Sequence, residues 1–280
     1  WARLGRGPRR SGVRSGSDPG GRRGAAAHGP LTSYADPVVV EELPALLSAG
    51  ERAAFRGVPR ANPVYDLAPR TWSKMILTLS GAEVAYEGVD VIDESRPQIL
   101  VANHTSWYDV LALTAFMPGR TVFVAKKELR KVPVFGPGAE ACGHIFIDRQ
   151  DRNSAVESLG AAQKRLEEDR PTVIMFPEGT RSRDGTLKPF KKGAFVLAIQ
   201  AGVDIVPVAI TGSRNIMRKG SWKVSPGVIR VRFGEPISVS EMAMDDRNEL
   251  TGQAWRAVAE LLSRDDPAML PDEAASGRTD

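Results

Sequence analysis

Short apolar runs rich in β-branched residues recur through the middle of the chain. They are Ile99–Ala102, Val122–Ala125, Ile145–Ile147, Val173–Phe176, Ile205–Ile210 and Val228–Phe233. Their length, and the Gly, Pro and polar residues between them, predict strands. Helical periodicity fills several of the intervals. Ser154–Asp169 opens with the capping pair Ser154 and Glu157, places Val156, Leu159 and Leu166 on one side, and stops before Pro171. Lys192–Ala201 follows, and Asn248–Leu262 carries Leu250, Ala254, Val258 and Leu261. Strands separated by helices predict an α/β fold, a helix-covered, largely parallel or mixed β-sheet. In such sheets the loops at strand ends hold the chemistry.

Upstream of the first strand, Thr71–Ala85 predicts an N-terminal amphipathic helical segment. Trp72, Met75, Ile76 and Leu79 fall at i, i+3, i+4 and i+7. That stripe suits a core-facing helix or one lying on a bilayer, and periodicity does not choose between them. No stretch reaches the ~20 consecutive apolar residues of a spanning helix. Residues 31–68 are punctuated by Pro37, Pro44, Pro59 and Pro63, with Pro69 at the border, and predict an irregular segment. The main domain is expected over 69–263, with a frayed acidic tail at 264–280.

Charge changes the picture only at the start of the chain. The formal charge is +4, yet residues 1–30 contain seven Arg and one Asp, which leaves the rest net −2. The surplus belongs to a Gly/Arg/Ser-rich tail with little to bury, expected to be disordered. Nucleic acid is therefore not an expected partner. The tail suits a tether to anionic lipid or an organelle-targeting remnant. The sequence begins with Trp1 rather than Met, so a start upstream of it is expected. One cysteine, Cys142, allows no internal disulfide and fits a reducing compartment.

Four stretches carry candidate chemistry. The loop after the strand Gln98–Ala102 reads Asn103-His104-Thr105-Ser106-Trp107-Tyr108-Asp109. Ser106 suits a helix cap with Asp109 at the third helical position. His104, upstream of that cap, can fold back so that Asp109 accepts a hydrogen bond from its Nδ1–H, fixes the tautomer and leaves Nε2 as a base. Ser106 and Asp109 also form a capping box by themselves, which alone would account for the Asp. The second loop, Phe176-Pro177-Glu178-Gly179-Thr180-Arg181-Ser182, turns at Gly179 and presents Arg181, whose guanidinium fork suits a phosphate. Glu178 there either holds that Arg or hydrogen-bonds a glycerol hydroxyl; a surface turn with an exposed ion pair is the alternative.

The third stretch, Gly143–Arg149, ends a strand on Asp148 and Arg149, a second candidate phosphate ligand oriented by Asp148. His144, inside the strand pattern, reads as a packed structural histidine. The fourth, Ile205–Ile210, holds Pro207 inside an apolar strand and implies an edge or a bulge. The basic run Lys126, Lys127, Arg130 and Lys131 is either a solvated face or an attraction for anionic lipid and coenzyme A phosphates. The chain has no G-x-S-x-G elbow, no H-E-x-x-H, no P-loop and no G-x-G-x-x-G, so neither a serine nucleophile, a metal nor a nucleotide cofactor is expected.

Together the four stretches resemble the 1-acylglycerol-3-phosphate acyltransferase family of glycerolipid acyltransferases. Asn103–Asp109 matches its N-H-x-S/T-x-x-D block, Gly143–Arg149 its G-x-x-F-I-D-R block, Phe176–Ser182 its F-P-E-G-T-R-S block, and Val206–Val208 its V-P-V core. The resemblance covers roughly 70–262. It implies His104 as general base oriented by Asp109, acceptor phosphate and glycerol binding by Arg149, Glu178, Gly179 and Arg181, and Pro207 on the acyl-donor side. It also implies a monotopic enzyme on the cytoplasmic face of a membrane. The expected reaction moves a fatty acyl group from acyl-CoA or acyl carrier protein to the sn-2 hydroxyl of a lysophosphatidate, giving phosphatidic acid for phospholipid biosynthesis. The acyl thioester is a co-substrate; no cofactor is expected. Another lysophospholipid, glycerol-3-phosphate or a lyso-ornithine lipid remains open as acceptor. A non-catalytic membrane module or a thioesterase remains open as a different class.

Overall fold

A computed structural model describes residues 63–117, 119–131, 135–148, 160–164, 166–168 and 170–271, together with the backbone at 32–33. The predicted tail 1–30, the Ser154–Glu157 capping pair, Arg149 and residues 272–280 lie outside the described residues.

The elements in chain order are β1 (Thr32–Ser33), α1 (Val64–Leu79), β2 (Ala82–Glu87), β3 (Gln98–Ala102), α2 (Tyr108–Phe116), β4 (Thr121–Lys126), α3 (Phe135–Ala141), β5 (Ile145–Ile147), β6 (Thr172–Met175), α4 (Gly193–Ala201), β7 (Ile205–Thr211), α5 (Ser213–Ile216), β8 (Gly227–Phe233) and α6 (Arg247–Ser263). The strands form one mixed sheet in the order β1-β2-β8-β7-β3-β6-β4-β5. β7, β3, β6, β4 and β5 run parallel. β8 opposes β7, and β2 runs parallel to β8. All five parallel strands thus end on one side, where β2 and β8 begin.

β3 is the central strand, buried at every position, as expected of a parallel strand covered on both faces. Its alternate side chains enter two separate cores. Ile99 and Val101 join Val173, Ile205, Phe195 and Val258, under α4, α6 and the helical residues 160–164 and 166–168. Leu100 and Ala102 join Ile174, Val208, Leu77 and Leu113, under α1 and α2. The period-2 pleat therefore builds a three-layer α/β/α body from one sheet.

Four expectations change. First, the helix placed at Thr71–Ala85 begins at Val64 and ends at Leu79, with Pro69 inside it. Pro63, just before the first turn, suits a helix start, so the irregular segment ends earlier than read. Ser80-Gly81 stops the helix, and Ala82–Glu87 becomes the strand β2. Second, β7 is not an edge but an interior strand, paired with β3 and β8. The bulge reading of Pro207 fits instead. Val208 opposes Phe233 while Ile205 bridges Ile237, so three steps along β7 meet four on its partner. Third, Arg264–Pro271 does not fray: Met269 is buried and its carbonyl accepts Leu187 N–H at 2.7 Å. Fourth, α1 is oriented unusually. Its charged row turns inward, Arg70 donating to the Gly119 carbonyl and Lys74 lying 4.8 Å from the Phe116 ring centre. Trp72 and Leu79 are exposed on the other side, Leu79 by 79%, and Leu67 is exposed along the Arg70–Lys74 row.

Candidate active site

The β3–β6 register sets the first contact of the site. Gln98 pairs with Thr172, an offset of 74 residues, and the same offset beyond the strands brings His104 opposite Glu178. The His104 backbone N–H donates to Glu178 Oε1 at 2.7 Å, and Ser182 N–H donates to the His104 carbonyl at 2.7 Å. The sheet ladder thus continues in altered form through the two loops. On the other side, Asn103 continues the ladder toward β7 with its side chain: Nδ2 donates to Ile210 O at 2.8 Å, and Oδ1 accepts Ile210 N–H at 2.7 Å.

Asp109 is 0% exposed at the first turn of α2. Its Oδ2 accepts His104 Nδ1–H at 2.8 Å, Thr105 N–H at 2.7 Å and Ser106 N–H at 2.9 Å. Ser106 Oγ in turn accepts Tyr108 N–H at 3.2 Å. The carboxylate half of the capping box and the His–Asp pair are therefore both present, served by one carboxylate oxygen, while the Asp109 N–H turns to the Ser106 backbone carbonyl rather than its hydroxyl. The other oxygen, Oδ1, accepts the Ser213 hydroxyl proton. Ser213 Oγ lies 3.0 Å from Thr105 Oγ1, which must then be the donor to it. Gly212 makes this turn possible. At φ 81, a Cβ there would stand 2.0 Å from the Val228 carbonyl oxygen, so a side chain would displace Ser213.

With Nδ1–H committed to Asp109, Nε2 of His104 carries the free lone pair. The ring is held on its flat side by Phe176, stacked at 4.0 Å between centroids. Sequence reasoning missed Phe176 and Ser213 as supports of the pair. Phe176 was hidden in its strand-end role, and Ser213 had no signal beyond a Gly-Ser at the end of a strand.

Glu178 does not hold Arg181; it is buried and tied to the His104 amide. Its Oε2 makes no hydrogen bond among the described residues. Burial pushes the carboxyl up to about 8, against the pull of the His104 amide and with help from the Asp109 charge. At neutral pH it is largely protonated and adds little negative charge to the site. Gly179 turns the chain at φ 75, and a Cβ there would meet Lys191 Cε at 2.9 Å. Arg181 is half-buried with its guanidinium 4.8 Å from the Trp107 ring centre, a cation–π contact between the two loops. Burial lowers its pKa and the Asp109 charge opposes that shift.

Lys219, absent from the sequence-based site, donates to Thr180 Oγ1 at 2.9 Å and to the Arg181 carbonyl at 2.8 Å. Partial desolvation, then Lys188, Arg183 and Arg181, push its pKa down. These four cations stand close together, and none pairs with a described carboxylate. The basic run is different. Lys126 faces Glu128, Lys127 faces Asp148 at 3.5 Å, and Arg130 faces Glu140. Asp148 is thus engaged by Lys127. His144 is packed as read: Phe123 N–H donates to its Nδ1 at 3.3 Å, and burial lowers its pKa to about 4.

Pro207 stands apart from this end of the sheet. It pairs with Val101, three residues before His104, or roughly 10 Å along the strand. Its ring lines a cavity of about 550 Å³ with Phe233, Gly234, Arg256 and Glu260 on the α6 side.

The Glu178 shift gives a pH signature. Its folded pKa lies above the unfolded carboxylate range, so the stability it contributes is complete at low pH and is lost as pH rises through about 8. Between pH 7 and pH 9, above the His144 window, wild type should lose about 1.4 kcal/mol relative to Glu178→Gln. Denaturant unfolding of both at the two pH values checks this; parallel curves would contradict the buried neutral carboxyl.

Comparison with known proteins agrees with the geometry. The acyltransferase family model matches residues 83–211. A 1-acyl-sn-glycerol-3-phosphate acyltransferase of Haemophilus influenzae is 33% identical over 206 residues, covering 74% of this chain and 83% of the relative. One of Limnanthes douglasii is 36% identical over 171 residues, covering 61% of this chain. The chain spans 60% of that plant relative's length. The crystal structure of the 1-acyl-sn-glycerophosphate (LPA) acyltransferase PlsC from Thermotoga maritima superposes with a TM-score of 0.64 at 29% identity, covering 78% of this chain and 90% of that one. With a coverage and identity of that order, and with the described parts of the four blocks on or directly after strands of one sheet, the chain belongs to the 1-acyl-sn-glycerol-3-phosphate acyltransferase family.

Proposed function

We propose that the protein transfers a fatty acyl group from acyl-CoA or acyl carrier protein to the sn-2 hydroxyl of 1-acylglycerol-3-phosphate, forming phosphatidic acid. The observation that carries this reading is the His104–Asp109 pair at 2.8 Å beside cations that pair with no described carboxylate. His104 Nε2 takes the proton of the acceptor hydroxyl as its oxygen forms a bond to the thioester carbonyl carbon. The tetrahedral adduct collapses, the C–S bond breaks, and the leaving thiolate receives the proton from the imidazolium. The balance is closed, with no enzyme nucleophile and no redox partner.

Arg181, with Lys219 and Lys188, would grip the acceptor phosphate and so hold its hydroxyl near Nε2. The largely neutral Glu178 suits that anionic ligand, because a second carboxylate charge would repel it. Arg149, of the same family block as Asp148, is assigned to the phosphate by resemblance alone, and Pro207 to the donor side on the same ground.

The membrane enters the proposal through α1. Its outer side carries the exposed Trp72 and Leu79 with the half-buried Met75 beside them and no charge among them, while Arg70 and Lys74 turn to the protein. A lipid surface suits that inversion. No described helix is long and apolar enough to cross a membrane. The reading is a monotopic enzyme, with the cytoplasmic face assigned by family resemblance alone.

The test is acyl transfer from labelled acyl-CoA to lysophosphatidate. His104→Ala should lower kcat by about 10²–10⁴-fold with the thermal melt retained; near-wild-type turnover removes the base assignment. Arg181→Ala should raise KM for the phosphorylated acceptor by about 10–100-fold, the worth of a charge-assisted contact. An unchanged KM removes Arg181 from the clamp, and hydrolysis of acyl-CoA without acceptor would favour a thioesterase.

A further inference from the structure

Between α5 and β8 the chain forms a loop, Met217–Pro226, whose Lys219 faces the acceptor clamp and whose outer part, from Gly220 on, has no role in the reaction as proposed. Trp222 at its tip is 93% exposed, the most exposed large apolar side chain described, and Val224 beside it is 42% exposed. The loop holds three cations, Arg218, Lys219 and Lys223, and no acidic residue. It is a built structure. Ser225 N–H closes its base on Ile216 O at 3.0 Å, Ser221 N–H turns back to Arg218 O at 3.1 Å, and Ser221 Oγ accepts Lys223 N–H at 3.0 Å. An ordered turn that holds an indole in water is a poor use of apolar surface in a protein surrounded only by water.

Its position is informative. β8 begins where the parallel strands end, so the loop lies on the catalytic side of the sheet. Gly227 N–H donates to Gly81 O at 3.2 Å, and Pro226 packs so closely on Gly81 that a Cβ there would stand 3.1 Å from it. Gly81 directly follows α1, whose last turn exposes Leu79. The loop therefore adjoins the C-terminal end of the charge-free face of α1. Its inner end also touches the site: Ser106 Oγ donates to Met217 O at 2.7 Å, and Lys219 bridges to Thr180 and Arg181.

We infer that Arg218–Val224 is a second membrane-docking element, which places Trp222 among the headgroups of an anionic bilayer with Arg218 and Lys223 against lipid phosphates. The inference rests on the reading of α1 as a lipid-facing helix and extends it. An indole with one apolar and one polar edge suits the interfacial layer, and cations without acids select a negative surface. Two contacts, α1 and the loop, fix the tilt of the body on the bilayer, so the His104 crevice opens toward the lipid from which an acceptor would arrive.

The test is co-sedimentation of the full chain with phosphatidylcholine vesicles, with and without phosphatidylglycerol. It is paired with rates on a water-soluble short-chain lysophosphatidate without vesicles. The variants are Trp222→Ala combined with Lys223→Gln, and separately Trp72→Ser combined with Leu79→Ser. The loop variant should lose about tenfold or more of its partitioning to anionic vesicles and keep the wild-type rate on the soluble acceptor. If it partitions as wild type does while the α1 variant releases, the loop inference is overturned and the α1 reading stands. Wild-type protein that ignores both vesicle types defeats the membrane reading and this inference together. Wild-type binding to neutral vesicles as tight as to anionic ones overturns the anionic surface. A loop variant slowed equally on the soluble acceptor acts through the crevice and not through a bilayer.

Discussion

One buried carboxylate organises the catalytic end of this protein. Asp109 has no exposure, and both of its oxygens are engaged by four donors from the β3–α2 loop and the β7 turn. An unpaired charge in that position would be costly to bury, so the surrounding loops are fixed by the need to satisfy it. His104 is one donor among the four. The same electrostatic requirement that starts α2 therefore also sets the tautomer of the ring.

Strand direction explains why distant blocks meet. Because β3, β6 and β7 run parallel as neighbours, their C-terminal loops emerge side by side. The β3–β6 register then lays His104 against Glu178, and the loop after β7 delivers Ser213 beneath Asp109 and Lys219 beside Arg181. β8 reverses direction and returns the chain to the same side, which brings the Trp222 loop next to the end of α1. Chemistry, cation cluster and apolar surface share one side of the sheet as a consequence of topology.

The α/β class and six of the strands were legible because short apolar runs between turn residues have few other fates, and β3–β8 lie within one or two residues of their predicted bounds. The His104–Asp109 pair was legible because a capping box fixes the orientation of a helix start, and a histidine just upstream of it has limited places to go. β2 was hidden: Ala82–Glu87 continues the helical stripe of α1, and only Ser80-Gly81 marked the break. The role of Glu178 depended on register, which no local pattern encodes. Ser213 and Lys219 come from a segment over 100 residues from His104, joined by tertiary packing alone. Pro207 was read correctly as a bulge but not as an edge, since proline marks a missing donor and not the number of neighbouring strands.

The central claim is that Asp109 holds the His104 proton on Nδ1 and leaves Nε2 as the base. Its most direct test is the steady-state kinetics of Asp109→Asn on lysophosphatidate, since an amide fills the same space and lets the ring take the other tautomer. The account predicts a fall in kcat of about 10²–10⁴-fold with the acceptor KM nearly unchanged. A kcat close to wild type in a folded variant would contradict it.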